Sequence, residues 1–295
     1  MSGERIVVVG DVINDVVVVP RGPVRPDTDT ASTIRQRPGG SAANTAAWLG
    51  SIGAPVDFVG CVGLDDLADH EKIFRDSGVT PHLELGSGLP TGTIVILVDG
   101  EHRTMLTERG ANASLSSSSV TDELLEAAGV LHISGYSILD GFGVPGARDL
   151  ITRATAAGTA VSVTPGSAGY LTDFGVEPFL EAIAGTTVVF PNLAEGRMLS
   201  GQTEPDRIGA ALRERFEVVV LTMGGEGLIV YEGKSRTVVP APVIQHIADP
   251  TGAGDALAAG FLDRWVVDGN AVEAAQAGAF VAARAIMLIG GRPPI

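Results

Sequence analysis

The chain has almost no lysine. Only Lys72 and Lys234 occur in 295 residues, and arginine brings the basic total to just 20 against 35 acidic side chains. A net charge of −15 excludes the clustered basic surface that non-specific nucleic-acid binding and adhesion to anionic membranes both require. Cysteine is as scarce. The single Cys61 cannot close an internal disulfide, which suits a reducing cytoplasm. Long hydrophobic runs are missing too. The opening "MSGERIVVVGDV" holds an apolar run too short for a secretory leader and passes at once into a strand-like segment. The most apolar window, 271–290, is interrupted by Glu273, Gln276 and Arg284, so it reads as a buried helix and not a membrane span. Repeats and linkers are absent, and residues 1–295 are expected to form one domain. Low complexity is confined to "SLSSSSV", a loop ending in a helix cap before "TDELLEAA".

What the chain does have is alternation. "RIVVVG" is a continuous β-branched run, as expected of a strand buried on both faces. "GSAANTAAWLGSIG" reads as a helix closed by glycine and "VDFVG" as the next strand. Further strands follow at "VLHIS", "GTAVSV", "TTVVF" and "FEVVVLT", with helical patterns such as "EPDRIGAALRERF" between them. This pattern predicts an α/β fold with a mostly parallel central sheet and helices on both faces. Two segments, near 14–38 and 91–108, alternate without intervening helices and are expected to form a small β lid. Neither contains an aromatic residue.

Two motif matches lead nowhere. "GFGVPG", 141–146, fits G-x-G-x-x-G, but "YSILD" separates it from its strand and the next strand ends in Thr164 rather than an acid. "EGKS", 232–235, mimics the end of a P-loop but has no helix behind it, and is expected to be a hairpin turn.

"ADPTGAGDALAAGFL", 248–262, is more informative. Amides of Gly252, Ala253 and Gly254 at a helix start offer donors and a positive dipole end to an anion. Asp255 follows directly. Taken alone, this is equally a glycine-rich cap with a first-turn acid. A carboxylate beside an anion hole makes chemical sense as a base that takes a proton from a hydroxyl attacking a phosphoryl group. Three other clusters fall at or just after the ends of expected strands, where open α/β sheets bind ligands. They are Asp11 and Asp15 in "VVVGDVINDV", Gly39, Gly40 and Asn44 in "RPGGSAANTAAWLGSIG", and Asn192 and Glu195 in "FPNLAEGRMLSG". The last pair suits a hydrated magnesium ion.

Together these segments resemble the ribokinase-like, or PfkB, carbohydrate kinases over nearly the whole chain. "PGGSAANTAAWLGSIG" is similar to the N-terminal signature of that family, and "DPTGAGDALAAGFL" to its C-terminal signature, with Pro250 where threonine is usual. "PNLAEGRMLSG" resembles the magnesium-linked Asn-x-x-Glu element, and "LTMGGEGLIV" the turn bordering the nucleotide. The resemblance implies a ribokinase-like three-layer sandwich and ATP-dependent phosphoryl transfer to a small sugar or sugar-like alcohol. It implies Asp255 as general base and Gly252, Ala253 and Gly254 as anion hole. Asp15, Gly40 and Asn44 match sugar-contacting positions, with Asp11 and Gly39 as neighbours. Asn192, Thr222, Gly224 and Gly227 match the nucleotide side, and Glu195 joins Asn192 in holding magnesium through water. Potassium is expected at the Asp249 carboxylate, the Thr251 carbonyl and carbonyls of the 286–291 loop. A homodimer through the lid is expected. In place of the acid that ribokinases usually carry after the strand equivalent to "VLHIS", this chain has "GYS", which weakens the case for ribose itself. Ala279 leaves adenine to packing and backbone contacts. A nucleoside kinase of the same fold and a non-catalytic sugar-sensing module are the competing readings. The acidic acceptor end favours a neutral polyol or a sugar acid over a sugar phosphate, with Arg103 and Arg109 as the cations to watch.

Overall fold

Chains rich in β-branched residues with helices between them place their strands side by side, and here thirteen strands form two sheets. The computed structural model of the protein describes residues 5–99 and 102–294. The initial "MSGE", residues 100 and 101 within the expected lid segment, and residue 295 lie outside the described residues. In chain order the strands are β1 (Ile6–Val9), β2 (Ile13–Pro20), β3 (Ser32–Gly39), β4 (Val56–Val62), β5 (Val79–Leu85), β6 (Gly92–Asp99) and β7 (His102–Glu108). Then come β8 (Val130–Ser134), β9 (Ala160–Thr164), β10 (Val188–Val189), β11 (Val218–Thr222), β12 (Leu228–Glu232) and β13 (Ser235–Val239).

The large sheet runs β13-β12-β11-β10-β9-β8-β1-β4-β5. Its pairings from β11 through β5 are all parallel, and only the β11–β12 and β12–β13 contacts are antiparallel. Successive side chains of β1 enter opposite cores, as the pleat requires. Ile6 and Val8 pack with Trp48, Phe74 and Phe261, whereas Val7 and Val9 pack with Leu131, Ile133 and Phe179. The result is three layers, helix on sheet on helix, in agreement with the fold expected. "TTVVF" yields a strand of only two residues, because Pro191 has no N–H to extend the ladder.

The small sheet runs β3-β2-β6-β7, with β2 parallel to β6 and antiparallel to β3. The two helix-free segments supply it. "GFGVPG" lies in helical backbone, a π-turn at Ile138–Phe142 continued by the helix Gly143–Ala156. "EGKS" is the β12–β13 hairpin turn, with Gly233 at φ 54.

Candidate active site

The turn before the helix Ala253–Asp268 is built around a glycine whose conformation and close packing disfavour any side chain. Gly252 has φ +77, and a Cβ there would lie 2.6 Å from the Gly291 Cα. The turn therefore packs directly on the C-terminal loop. Asp255 follows in the first helical turn, partly buried. Its Oδ1 accepts a hydrogen bond from Ser41 Oγ at 2.7 Å and its Oδ2 one from Asn44 Nδ2 at 2.9 Å. Burial pushes the Asp255 pKa up to about 7, against the lowering effect of the Ser41 and Asn44 bonds. Nearby Asp11 raises it further and Arg292 opposes the rise. A carboxyl poised near neutrality is suited to accepting a proton.

Ser41 and Asn44 reach Asp255 because the helix Ser41–Ser51 starts hard against β1 and β2. A Cβ on Gly39 would strike the Asp15 carboxylate at 2.2 Å, and one on Gly40, at φ +96, the Asp11 carbonyl at 2.4 Å. Asp11 itself caps that helix from outside. Its Oδ2 accepts from the Ser41 amide at 2.7 Å and its Oδ1 from the Ala42 amide at 3.1 Å. Both oxygens thus accept backbone amides, so Asp11 braces the turn. Among the described residues no backbone amide bonds to the Asp15 carboxylate. Burial raises its pKa to about 6, with Arg292 opposing and Asp11 adding to the rise.

The sequence reading missed Arg292. Its Nε donates to Asn44 Oδ1 at 3.2 Å and its Nη2 to the Gly39 carbonyl at 2.6 Å. With Oδ1 so engaged, the Asn44 amide group must turn its NH₂ toward Asp255. Ser41 was also missed as a partner, although it directly follows the Gly-Gly turn. The neighbouring Trp48 donates its indole N–H to the Gly291 carbonyl at 2.9 Å.

On the other side of Asp255 two cavities join. One of about 220 Å³ is lined by Ser41, Asn192, Glu195, Thr222, Gly254 and Asp255. The other, about 350 Å³, shares Thr222, Pro250, Ala253, Gly254 and Leu257 with it and continues past Gly224 and Gly227 to Ala279. Among the described residues no lysine or arginine lines either cavity. Asn192 and Glu195 form a reciprocal cap on the helix Leu193–Ser200, each side chain bonded at 2.9 Å to the other's amide. Glu195 is 4% exposed, and burial lifts its pKa to about 7 against the hydrogen bonds from Asn192.

Arg109 points inward, away from solvent. Its guanidinium carbon lies 5.0 Å from the Tyr136 ring centre and 4.4 Å from that of Tyr170, and its Nε pairs with Asp140 Oδ2 at 3.1 Å. Burial raises the Asp140 pKa to about 6, with Arg109 opposing. Tyr136 belongs to the "GYS" segment and packs against Gly166 in the wall of the smaller cavity. Asp249 sits three residues before Gly252. Its Oδ1 accepts from the Thr251 amide at 2.9 Å and its Oδ2 from the Gly290 amide at 3.1 Å. Burial alone would raise its pKa, but these bonds and the charge of Arg103 hold it below the usual carboxylate value.

The chain is similar to known proteins over nearly its whole length. Residues 4–295 match the model of the pfkB family of carbohydrate kinases. An ATP-dependent ribose-1-phosphate kinase of Halopiger xanaduensis is 31% identical over 273 residues, covering 88% of this chain and 86% of that protein. The crystal structure of an adenosine kinase from Sinorhizobium meliloti superposes with a TM-score of 0.89 at 25% identity, over 100% of this chain and 97% of the other. A putative ribokinase II from E. coli, solved with ATP and magnesium, superposes at 0.84 with 21% identity, over 97% and 94% of the two chains, a likeness of fold. With the family model matched over nearly its whole length, this chain belongs to the pfkB family of carbohydrate kinases.

Proposed function

We propose that the chain, as one kinase domain, transfers the γ-phosphoryl group of ATP to a hydroxyl of a small sugar or sugar-like alcohol, with Asp255 as general base. One observation carries the reading. The Asp255 carboxylate, fixed by Ser41 and Asn44, stands in the first turn of a helix whose N-terminal end opens into both cavities. Adenine would occupy the apolar cavity beside Ala279, held by packing and by backbone near Gly224 and Gly227. The phosphates would lie over Gly252, Ala253 and Gly254, where amides stabilise the charge developing on the transferring group. The acceptor hydroxyl would face Asp255 from the side of Asp15, Gly40 and Asn44. Asp255 takes its proton as the oxygen attacks phosphorus.

A hydrated magnesium ion fits beside Glu195. That carboxylate has one oxygen outside its cap bond, in a cavity it shares with Asn192 and Thr222. These residues would hold the ion through water, and its charge would balance the phosphates in a cavity without cationic side chains. The E. coli neighbour bound to ATP and magnesium supports the choice of ligands.

Nucleosides are the second acceptor class, favoured by the Tyr136 ring beside the smaller cavity. Arg109 is held by Asp140 and two tyrosines, so its charge is already balanced and does not by itself call for an acidic acceptor. The test is Asp255→Asn, which keeps shape but not basicity, assayed on ribose, fructose, a keto-deoxy-gluconate, adenosine, ribose 1-phosphate and fructose 6-phosphate. Turnover on the preferred acceptor should fall by about 10²–10⁴-fold with binding largely kept. Near-normal turnover would remove the base assignment, and preference for a phosphate ester would overturn the neutral-acceptor reading.

A dimer through the lid has support in the outer face of the small sheet. Register puts Val16, Val18, Ile34, Val95 and Leu106 on the face opposite Asp15, with Ile34 62% and Leu106 61% exposed. Light scattering at micromolar concentration should give twice the chain mass, and Ile34→Lys should halve it. No described helix is long and apolar enough to cross a membrane. With the acidic, disulfide-free sequence, this fits a cytoplasmic enzyme.

A further inference from the structure

The carboxylate and three of the loop carbonyls expected to hold potassium are already in use. Both Asp249 oxygens accept backbone amides, from Thr251 and Gly290. In the 286–291 loop, the Ile286 carbonyl accepts from the Ala248 and Asp249 amides at 2.8 and 3.2 Å, and the Gly291 carbonyl accepts from Trp48. The remaining positive charge comes from the lid. Arg103 on β7 places Nη2 3.1 Å from Asp249 Oδ1 and Nη1 3.2 Å from Thr251 Oγ1. Arg37 on β3 donates to the Ile289 carbonyl. A potassium ion at Asp249 would stand against the Arg103 guanidinium. This donor set does not fit a monovalent cation.

We propose that two lid arginines, Arg103 and Arg37, replace the monovalent cation as the positive clamp on the loops flanking Gly252. The Arg103 fork spans Asp249 and Thr251, immediately before the turn. Arg37 holds Ile289, two residues before the Gly291 on which Gly252 packs. The two arginines lie on opposite edge strands of the small sheet but on the same face, since Arg37 pairs with Asp15 and Arg103 with Val98 in register. That face borders a groove of about 400 Å³ walled by Asp249, Thr251 and Gly290 on the other side. Seating the lid therefore fixes the turn that receives the phosphates. Both arginines are positioning residues and touch no reacting atom.

This inference rests on the phosphotransfer reading for its kinetic test but not for its structural one. The parent protein is assayed in potassium chloride and in tetramethylammonium chloride at equal ionic strength, and the two rates should agree within about twofold. A loss of about tenfold or more in tetramethylammonium would overturn the proposal. Arg103→Ala should lower kcat by about 10²-fold, the scale of a misplaced reacting group, with little change in acceptor KM. Free guanidinium at tens of millimolar should restore part of that rate, and tetramethylammonium should not. A kcat unchanged in Arg103→Ala, or loss without guanidinium rescue, would count against the clamp. Arg103→Lys, which keeps the charge but not the fork, serves if the alanine variant fails to fold, and its rate should fall between the two. Hydrogen exchange without substrate is the independent readout. Amides of 249 and 251–254 should exchange faster in the variant than in the parent, and equal exchange would overturn the clamp even if no acceptor is ever found. An inactive parent with the exchange difference present would instead fault the function proposed above.

Discussion

At Asp255 the surroundings set a protonation balance that has two measurable faces. The proposed base must be ionised, so kcat/KM should fall as pH drops through about 7. Asn44→Leu removes a hydrogen bond that favours the ionised form and should move this acid limb to higher pH. An unmoved limb would mean that Asn44 does not tune the group. Stability should show the opposite face. The folded value near 7 exceeds the ordinary 3.8, so between those values the native protein binds the proton that the unfolded chain has lost. The contribution of Asp255 to stability therefore declines as pH rises from about 4 to about 7 and is level above. Asp255→Asn should gain in melting temperature relative to the parent across that window, and a constant gap would refute the burial argument. At this scale the sequence was legible only where partners lie close along the chain. Asp255 and the glycines of its turn stand together, and so were read. Arg292 acts on Asn44 across 248 positions, and no local pattern marks a lone arginine in a glycine- and proline-rich tail as part of a site.

Among the elements, the start of the helix Ala253–Asp268 separates structural glycine from functional glycine. Gly252→Ala would force a left-handed residue to carry a Cβ against the Gly291 backbone and should unfold or loosen the turn. Gly254→Ala meets nothing within 4 Å and needs no special φ. Its stability should match the parent or exceed it by about 0.4–1 kcal/mol. Yet the new methyl would occupy the space proposed for the phosphates, so kcat/KM for ATP should fall by about 10²-fold, the scale of losing one anion-hole donor. An alanine variant with unchanged ATP kinetics would move the phosphates elsewhere. Most elements were readable because hydrophobic period and flanking glycines state them locally. β10 was placed in "TTVVF", but its length of two residues was not read, since the ladder is cut short by Pro191. The Asn192–Glu195 cap was readable in principle, as an Asn-x-x-Glu start, but its spacing is shared with metal-linked motifs.

For the molecule as a whole, alternation of strands and helices foretold the layered sandwich, and the two helix-free segments foretold the second sheet. What they could not convey is how the sheets meet, because that depends on side chains such as Arg37 and Arg103 reaching loops far along the chain. If the lid closes over the acceptor, saturating acceptor should slow hydrogen exchange in β2, β3, β6 and β7, and unchanged exchange would argue against closure.

The bond from Trp48 to the Gly291 carbonyl has an optical consequence. The indole is 1% exposed and tied to the strip of backbone against which Gly252 packs. Trp265 is the only other tryptophan, so Trp265→Phe leaves one fluorophore, built into the wall of the turn. Its emission should shift when magnesium and ATP are added together, and the turn would report its own occupancy without any attached dye.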